Sequence, residues 1–225
     1  MKLMRSLTVL LLLIAFIGGI AMVKAETAKK EAPKPAPYKA KDYSSLLGMK
    51  GFSDTLLNNH FKLYQGYVAN SNALAEKLSK MEGGTPEYAE LKRRFGWEWN
   101  GMRLHEYYFE NLGGKKPLDE KSPLHKALVK EFGSFDAWKN DFIAAGKMRG
   151  IGWVILYQDA DSGRLFNMWI NEHDVGHPAG ANPVLIMDVF EHAFITDYQL
   201  DRAKYIEAFF ANIKWETAAK RFIAK

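Results

Sequence analysis

The sequence feature that most constrains this chain is the pairing of Asp188 with His192 directly after an apolar run. Residues 184–187 follow Pro183 and have the composition of a buried β-strand. A carboxylate at the end of a buried strand costs several kcal/mol unless it is paired or binds a metal ion. An isolated aspartate and histidine at this spacing more often mark an ordinary helix start, so the pair needs support from the rest of the chain.

The first 25 residues are typical of a secretory signal peptide. Lys2 and Arg5 form a charged start, residues 7–23 are almost wholly apolar, and small residues occupy the expected cleavage positions up to Ala25. An uncleaved membrane anchor is the alternative, because the apolar run approaches the length that spans a bilayer. We therefore predict an exported protein, periplasmic or secreted, without membrane contact once the signal peptide is removed.

Residues 26–42 are rich in proline, lysine, alanine and glutamate, which predicts an extended and solvated tether. Removal of residues 1–25 lowers the formal charge from +5 to +2. This mild basic balance, without basic clusters among aromatic residues, does not indicate a nucleic-acid partner. The chain contains no cysteine, so disulfides and lipid attachment through cysteine are excluded.

Capping residues predict where the helices begin. Ser53 and Thr85 each precede a long stretch with apolar residues at three- and four-residue spacing, and each stretch ends at a pair of glycines. The connection between these two long helices is short, which predicts an antiparallel hairpin. Ser122 and Ser134 begin two further predicted helices.

The periodicity then changes from helix to strand. Three predicted strands and two closing helices lie at residues 152–157, 164–170, 184–187, 205–213 and 215–223. Helices followed by a small antiparallel sheet indicate an α+β fold.

The candidate metal ligands in a chain without cysteine are its histidines: His60, His105, His125, His173, His177 and His192. His60 and His105 lie on the inward faces of the two long helices, where facing helices supply ligands in bundle proteins. Each alone is more often a hydrogen-bonded core residue. With Asp188 and His192 they offer three nitrogen ligands and one oxygen ligand, which suits iron, manganese or zinc. His125 is predicted to be solvated, while the loop residue His177 fits either a solvated or a functional role.

Several motifs in the same order resemble the iron/manganese superoxide dismutase family. Residues 188–194, D-V-F-E-H-A-F, resemble its D-V-W-E-H-A-Y motif, and residues 150–153, G-I-G-W, resemble its G-S-G-W segment. His105 begins a segment similar to its H-x-x-F/Y-W, and residues 67–70, Y-V-A-N, resemble the end of its Q-T-Y-V-x-N. The resemblance covers about residues 43–225.

The resemblance implies a helical-hairpin domain at residues 43–114, an α/β domain with a three-stranded antiparallel sheet at residues 115–225, and a metal site between them. By motif position, the ligands of one iron or manganese ion per subunit are His60, His105, Asp188 and His192. The implied reaction is the disproportionation of superoxide to dioxygen and hydrogen peroxide by ping-pong redox cycling of that ion. The implied partners are the substrate superoxide and a second copy of the chain in a homodimer.

The first of these ligands aligns only after an adjustment. In the family pattern the ligand histidine precedes the tyrosine by eight residues, whereas His60 precedes Tyr67 by seven and Asn59 occupies the eight-residue position. Seven residues are two helical turns, which places His60 and Tyr67 on one face of the helix. A one-residue deletion therefore makes His60 the ligand. The alternative is a lost ligand replaced by Asn59, in an exported non-catalytic metal-binding homologue.

The resemblance also implies catalytic roles for residues around the metal. Tyr67 and His173 are expected to hydrogen-bond each other, and His173 is expected to reach the metal-bound solvent as well. Trp153 is expected to line the pocket. Glu191 is expected to cross a homodimer interface to the partner subunit's His192, which would orient that ligand.

The chain departs from the family pattern at several positions. Phe109 and Phe190 stand where tryptophan is common, and Leu63 and Ile195 replace a histidine and a tyrosine of the entrance funnel. Gly101 has no side chain where some family members supply the group that reaches the bound solvent. These changes affect the expected proton relay and subunit contacts more than the reaction itself.

A second class of function uses the same four side chains on zinc, with a bound hydroxide for hydrolysis. The sequence offers no separate general base for that chemistry. Lys62, one helical turn from Tyr67, is a candidate for attracting an anionic substrate, and an ordinary solvated lysine is the alternative.

Overall fold

The computed structural model describes residues 36–225, so the predicted signal peptide and most of the predicted tether lie outside the described residues. The elements follow in the order α1 (Asp54–Leu78), α2 (Pro86–Glu110), α3 (Pro123–Phe132), α4 (Phe135–Gly146), β1 (Gly152–Asp159), β2 (Leu165–Asn171), β3 (Ala181–Asp188), α5 (Ile195–Tyr198), α6 (Arg202–Ala211) and α7 (Trp215–Arg221). In this part of the chain no helix has the length and apolar character needed to cross a membrane.

The four predicted helix starts are confirmed by their caps. The side chains of Ser53, Thr85, Ser122 and Ser134 each accept a hydrogen bond from the backbone N–H three residues later, at 3.0, 3.1, 3.2 and 2.9 Å. Each bond satisfies one of the donors that a helix start leaves unpaired. These local rules explain why the helix starts were readable from the sequence.

The three strands form one antiparallel sheet in the order β2-β1-β3. β1 is buried along nearly its whole length, because β2 and β3 flank it on both edges. Pro183 pairs with Tyr157 beside a shift in register between Leu156 and Tyr157. A proline is tolerated at such an irregularity because the ladder does not require its missing N–H. The predicted α+β fold with a three-stranded antiparallel sheet is confirmed.

The helical hairpin packs against the sheet where α2 runs beside β3. At the end of α2, Asn111 donates from Nδ2 to the carbonyl of Ile186 at 2.7 Å and accepts from Arg221 of α7 at 2.7 Å. Asn111 is fully buried, so these bonds join three elements inside the protein. They hold the inward face of α2 against the end of β3, where Asp188 lies.

The last residues of the predicted tether contact the hairpin. The backbone N–H and C=O of Tyr38 both hydrogen-bond the Asn72 side chain, at 2.8 and 2.9 Å. The Lys41 ammonium pairs with Glu110 at 2.8 Å, and its backbone N–H donates to the Tyr64 hydroxyl at 3.0 Å. This stretch is therefore held by the fold, because a side-chain amide can satisfy a donor and an acceptor of the main chain together.

Candidate metal centre

Four predicted ligands converge where the hairpin meets the sheet. His60 comes from α1, His105 from α2, Asp188 from the last position of β3, and His192 from the short 3-10 helix Glu191–Ala193 that follows. One ligand atom from each lies within 4.8 Å of the other three. His60, His105 and Asp188 are buried, and the His192 side chain is 26% exposed. The candidate metal centre therefore opens to solvent on the side of His192.

The proton on His105 is placed by its backbone partner. Nδ1 of His105 lies 2.6 Å from the carbonyl oxygen of Gly101. Because a carbonyl only accepts, Nδ1 carries the hydrogen and Nε2 has a free lone pair. Burial also lowers the pKa of His105 well below its usual value, which keeps the ring neutral. His105 is thus prepared to bind a cation through Nε2.

The unpartnered atoms of the protein also point to a cation. In residues 36–225, the buried side-chain atoms that lack a hydrogen-bond partner are Nε2 of His60, Oγ of Ser71 and Nε2 of His105. Nε2 of His60, His105 and His192 lie 3.3, 3.7 and 3.2 Å from the same oxygen, Oδ2 of Asp188. Lone pairs that converge without partners are costly in a protein interior but are what a metal ion requires.

The carboxylate of Asp188 is oriented from both sides. Its Oδ1 accepts from the backbone N–H of Phe190 at 2.8 Å, and its backbone carbonyl accepts from the Tyr205 hydroxyl at 2.6 Å. Burial opposes its charge, but the neighbouring imidazoles of His192 and His60 hold the pKa of Asp188 below its usual range. The centre therefore presents one ionised carboxylate with three imidazoles, a donor set that fits iron or manganese.

The structure assigns the first ligand position to His60. His60 is 1% exposed and belongs to the cluster, whereas Asn59 is exposed and does not. Tyr67 is also buried on the same face of α1, as two helical turns require. The seven-residue spacing of His60 and Tyr67 is thus compatible with the continuous helix α1.

A chain of hydrogen bonds runs beside the four ligands. Nε2 of His173 lies 2.8 Å from the Tyr67 hydroxyl, and Nδ1 of His173 accepts from the Trp153 indole N–H at 3.1 Å. Trp153 and His173 are fully buried, and the Tyr67 ring stacks on His105 with centroids 5.1 Å apart. The expected bond between Tyr67 and His173 is therefore present, and Trp153 packs against the same cluster.

The indole fixes which nitrogen of His173 carries the proton. Trp153 can only donate, so Nδ1 must be unprotonated and the neutral ring carries its hydrogen on Nε2. Burial lowers the pKa of His173 to about 4, which favours that neutral form. Nε2–H then donates to the Tyr67 oxygen, and the hydroxyl hydrogen of Tyr67 is free to point elsewhere. Both ring nitrogens of His173 have protein partners, which favours Tyr67 as the donor toward the ligands.

Comparison with known proteins identifies the family of this chain. Residues 120–221 match the family described as iron/manganese superoxide dismutases, C-terminal domain. The chain is 38% identical over 183 residues to an iron superoxide dismutase of Cupriavidus metallidurans, which covers 78% of this chain and 91% of the relative. The chain belongs to the iron/manganese superoxide dismutase family.

Other relatives in the superoxide dismutase family carry either metal in their names. An iron superoxide dismutase of Aquifex pyrophilus is 37% identical over 193 residues, covering 81% of this chain and 89% of the relative. The manganese superoxide dismutase 2 of Haloferax volcanii is 32% identical over 166 residues, covering 73% of this chain and 83% of the relative. The family relation therefore supports an iron or manganese centre without choosing between the metals.

Gly101 contributes to this superoxide dismutase centre by having no side chain. A Cβ at Gly101 would lie 2.6 Å from Cδ1 of Tyr67. The Tyr67 ring therefore occupies the space beside α2 that a side chain would fill. The same glycine supplies the carbonyl that orients His105, so one residue of α2 serves both the ligand and the tyrosine.

The remaining predicted residues lie around the centre. Glu191 and Lys62 are exposed or partly exposed at the surface, and Ile195 is 46% exposed, so none of them belongs to the buried cluster. His125 is only partly exposed because its ring stacks on Phe135, with centroids 5.3 Å apart. The predicted bond from Glu191 to the partner subunit's His192 stays a prediction.

Sequence reasoning missed Trp97. Its ring centroid lies 4.6 Å from that of His173 and 5.4 Å from that of Tyr67. Residues 97, 101 and 105 follow at four-residue intervals and therefore share one face of α2. That spacing was the available signal, because it places Trp97 beside the glycine and the ligand that face the centre.

Proposed function

We propose that this protein is a superoxide dismutase that uses one iron or manganese ion per subunit. One superoxide is oxidised to dioxygen, and a second takes up one electron and two protons to become hydrogen peroxide. The bound metal would supply the one-electron chemistry by alternating between its trivalent and divalent states. The convergence of three imidazoles and one carboxylate, in a member of this family, is the observation that carries the proposal.

The charge of the donor set suits an anionic substrate. Burial lowers the pKa values of His60 and His105, so these rings are neutral, and Asp188 is ionised. These residues would hold a divalent or trivalent ion with one negative charge and leave the centre a net positive charge. That charge would attract superoxide.

Tyr67 is placed to supply a proton. Burial raises the pKa of Tyr67 above its usual value, so the phenol keeps its hydrogen at neutral pH. The Nε2–H of His173 occupies one lone pair of the Tyr67 oxygen, which leaves the hydroxyl hydrogen available. Because the reduced substrate must gain two protons, this hydroxyl is a suitable donor, since its hydrogen-bond pattern leaves a free hydrogen.

The direct test is superoxide removal by the mature protein loaded with iron or manganese. We expect Asp188→Ala and His192→Ala to abolish both metal retention and activity. Asp161→Ala, at the exposed turn after β1, removes a carboxylate that lies outside the cluster and should leave both unchanged. Full activity in Asp188→Ala would reject the proposed site. Hydrolytic activity with zinc, and none with superoxide, would support the zinc alternative instead.

The position of His60 supports an active enzyme over the non-catalytic alternative. That alternative depended on Asn59 replacing a ligand, but Asn59 is exposed while His60 contributes to the cluster. A degraded site would leave at least one ligand position unfilled. We therefore propose an active enzyme.

We also propose a homodimer in which Glu191 reaches the partner subunit's His192. Glu191 is exposed and directly precedes this ligand, which is itself the most accessible of the four. Ile195, 46% exposed on the next turn, adds apolar surface to the same region. Sedimentation or size-exclusion measurements on the wild type and on Glu191→Ala would test this arrangement. A monomeric wild type would reject it.

Finally, we propose that the protein is exported to the periplasm or the medium. The proposal comes from the charged and apolar pattern of residues 1–25. N-terminal sequencing of protein purified from its native source should find a chain that begins near residue 26. A chain that begins at residue 1 and fractionates with membranes would indicate a retained anchor.

A further inference from the structure

His173 lies in a tight turn between β2 and β3. The turn closes through a bridge between Asn171 and Val175, with the Val175 N–H 3.3 Å from the Asn171 carbonyl. Glu172, directly before His173, has a φ of 54°, in the left-handed region that side chains other than glycine rarely adopt. A residue held in that region requires surrounding contacts that outweigh its cost.

The contact that accompanies this conformation is made to Trp97. The indole N–H of Trp97 donates to Oε2 of Glu172 at 3.3 Å, which joins α2 to the turn. The Arg94 guanidinium also packs over the indole ring, 4.0 Å from the ring centroid. Arg94 is in turn paired with the buried carboxylate of Glu98 at 2.7 Å. Trp97 is thus held both at its N–H and at its ring.

A second contact holds the peptide group on the other side of His173. Nε2 of His177 lies 2.8 Å from the carbonyl oxygen of His173, and Nδ1 of His177 lies 2.7 Å from the Tyr157 hydroxyl. A carbonyl only accepts, so Nε2 of His177 carries the hydrogen and Nδ1 accepts from Tyr157. This assignment makes His177 a link from β1 to the backbone of His173.

We infer that Trp97, Glu172 and His177 are positioning residues that set the ring of His173 against Tyr67. Glu172 and His177 act through the backbone on either side of His173, whereas Trp97 and Trp153 also contact its ring. The inference rests on the proposed function, in which the hydroxyl hydrogen of Tyr67 must stay free. A His173 ring that turned away would release Nε2–H from the Tyr67 oxygen.

The experiment compares changes at the Trp97–Glu172 contact with matched changes elsewhere. Trp97→Phe and Glu172→Ala remove the hydrogen bond, and Glu172→Gln keeps an acceptor oxygen. Trp99→Phe is the control, because Trp99 on the same helix also donates its indole N–H, to the Tyr38 hydroxyl at 3.2 Å, and also lies beside an arginine. Glu172→Gly relieves the left-handed backbone and still removes the carboxylate.

The first measurement is the nitrogen NMR signature of the His173 ring in the metal-free protein. The wild type, Trp99→Phe and Glu172→Gln should show a single tautomer with its hydrogen on Nε2. Trp97→Phe, Glu172→Ala, Glu172→Gly and His177→Phe should show mixed tautomers. This readout does not depend on the reaction, so its failure is distinguishable from failure of the proposed function.

The second measurement is steady-state superoxide turnover by the metal-loaded variants. Losing an outer contact of this kind typically costs on the order of tenfold in activity, and we expect that loss in kcat for Trp97→Phe, Glu172→Ala and Glu172→Gly. Glu172→Gln should retain most of the wild-type kcat, and kcat/KM should change less than kcat. The inference is overturned if Trp97→Phe keeps the wild-type tautomer and kcat, or if Trp99→Phe loses as much as Trp97→Phe. Full kcat in Glu172→Gly would likewise show that the carboxylate has no positioning role.

Discussion

At the scale of single residues, the centre depends on which imidazole nitrogens carry protons. The Gly101 carbonyl fixes the hydrogen of His105, and the Trp153 indole fixes that of His173. Neither partner can exchange its role, since one only accepts and the other only donates. The ligand and the Tyr67 hydrogen bond are therefore preset by groups that do not titrate.

The buried neutral histidines predict how the stability of the metal-free protein depends on pH. Burial lowers the pKa of His173 to about 4 and also lowers the pKa values of His60 and His105. Below pH ~6.5 the unfolded chain binds protons that the fold does not, so the free energy of unfolding falls as the pH falls. Each such histidine contributes about 1.4 kcal/mol per pH unit, and the contribution of His173 ends near pH 4.

Urea unfolding of the metal-free protein between pH 7 and pH 4 measures this slope. His173→Gln should lower the slope by about one proton. A slope that His173→Gln leaves intact would mean that His173 is not held neutral by the fold. Above pH ~6.5 these histidines are unprotonated in both the folded and the unfolded protein, so they no longer make the free energy of unfolding depend on pH.

The sequence only partly predicted which residues form the site. Spacing from Tyr67 left His60 and Asn59 as rivals, and helical geometry correctly favoured His60. The role of Glu172 had no local signal, because its left-handed backbone is tied to Trp97, a residue far away in the chain. Contacts between distant segments are set by packing, which single-sequence patterns do not record.

At the scale of elements, α2 organises the centre along one face. Four-residue spacing places Trp97, Gly101 and His105 on the same face of the helix. This face therefore carries an aromatic ring, a gap without a side chain and a metal ligand. The Tyr67 ring of α1 fills the space at Gly101. The two helices approach closely at this point, so the packing of the hairpin determines the position of the Tyr67 ring.

Two glycines of α2 give opposite predictions for the same substitution. A Cβ at Gly96 would have open space around it, with no neighbouring group within 4 Å, so Gly96→Ala should raise the free energy of unfolding by about 1 kcal/mol through helix propensity. At Gly101 the added carbon would lie 2.6 Å from Tyr67, and overpacking of this kind costs about 1–3 kcal/mol. Denaturant unfolding of both variants measures the difference.

Turnover separates the two glycine variants further. Gly101→Ala should lower kcat as well as stability, because the Tyr67 ring must move, and Gly96→Ala should leave kcat unchanged. Equal stabilisation by both substitutions would contradict the close approach of Tyr67 to α2. Of these two glycines only Gly101 lies against α1, since a Cβ there would meet the Tyr67 ring and a Cβ at Gly96 would meet no group within 4 Å.

Element boundaries were predicted well where capping is local and less well where it is not. The starts at Ser53 and Thr85 follow from side chains that bond the next turn. The predicted strand at residues 184–187 extends to Ala181–Asp188, because a register shift opposite Pro183 tolerates the proline. The short helix Ile195–Tyr198 was not predicted, since four residues carry no periodicity to read.

At the scale of the whole molecule, the folded unit begins before the first helix. Tyr38 pairs with Asn72 through both backbone groups, and the Lys41 ammonium lies 3.3 Å from the buried carboxylate of Glu106. The sequence predicted a solvated tether up to residue 42, because prolines and lysines lack periodicity. A short segment that binds through its backbone has no apolar periodicity, so its contact with the hairpin could not be predicted from the sequence.

A pair of truncations tests whether this segment stabilises the fold. A chain that begins at residue 37 is the reference, since the folded unit begins at Pro37. A chain that begins at residue 42 loses the bonds of Tyr38 and Lys41 and should be about 1–3 kcal/mol less stable. Thermal unfolding of the two chains under the same conditions measures the difference. Identical unfolding curves would mean that these contacts do not persist in solution.

The whole account depends on four ligands from the hairpin and the sheet holding one ion. The most direct measurement is metal content by elemental analysis after loading with iron or manganese, on three proteins that differ at adjacent positions. We predict one ion per chain in the wild type and in Asn59→Ala, with a raised unfolding temperature in both, and no retained ion in His60→Ala. Metal retention by His60→Ala together with its loss from Asn59→Ala would contradict the proposed centre.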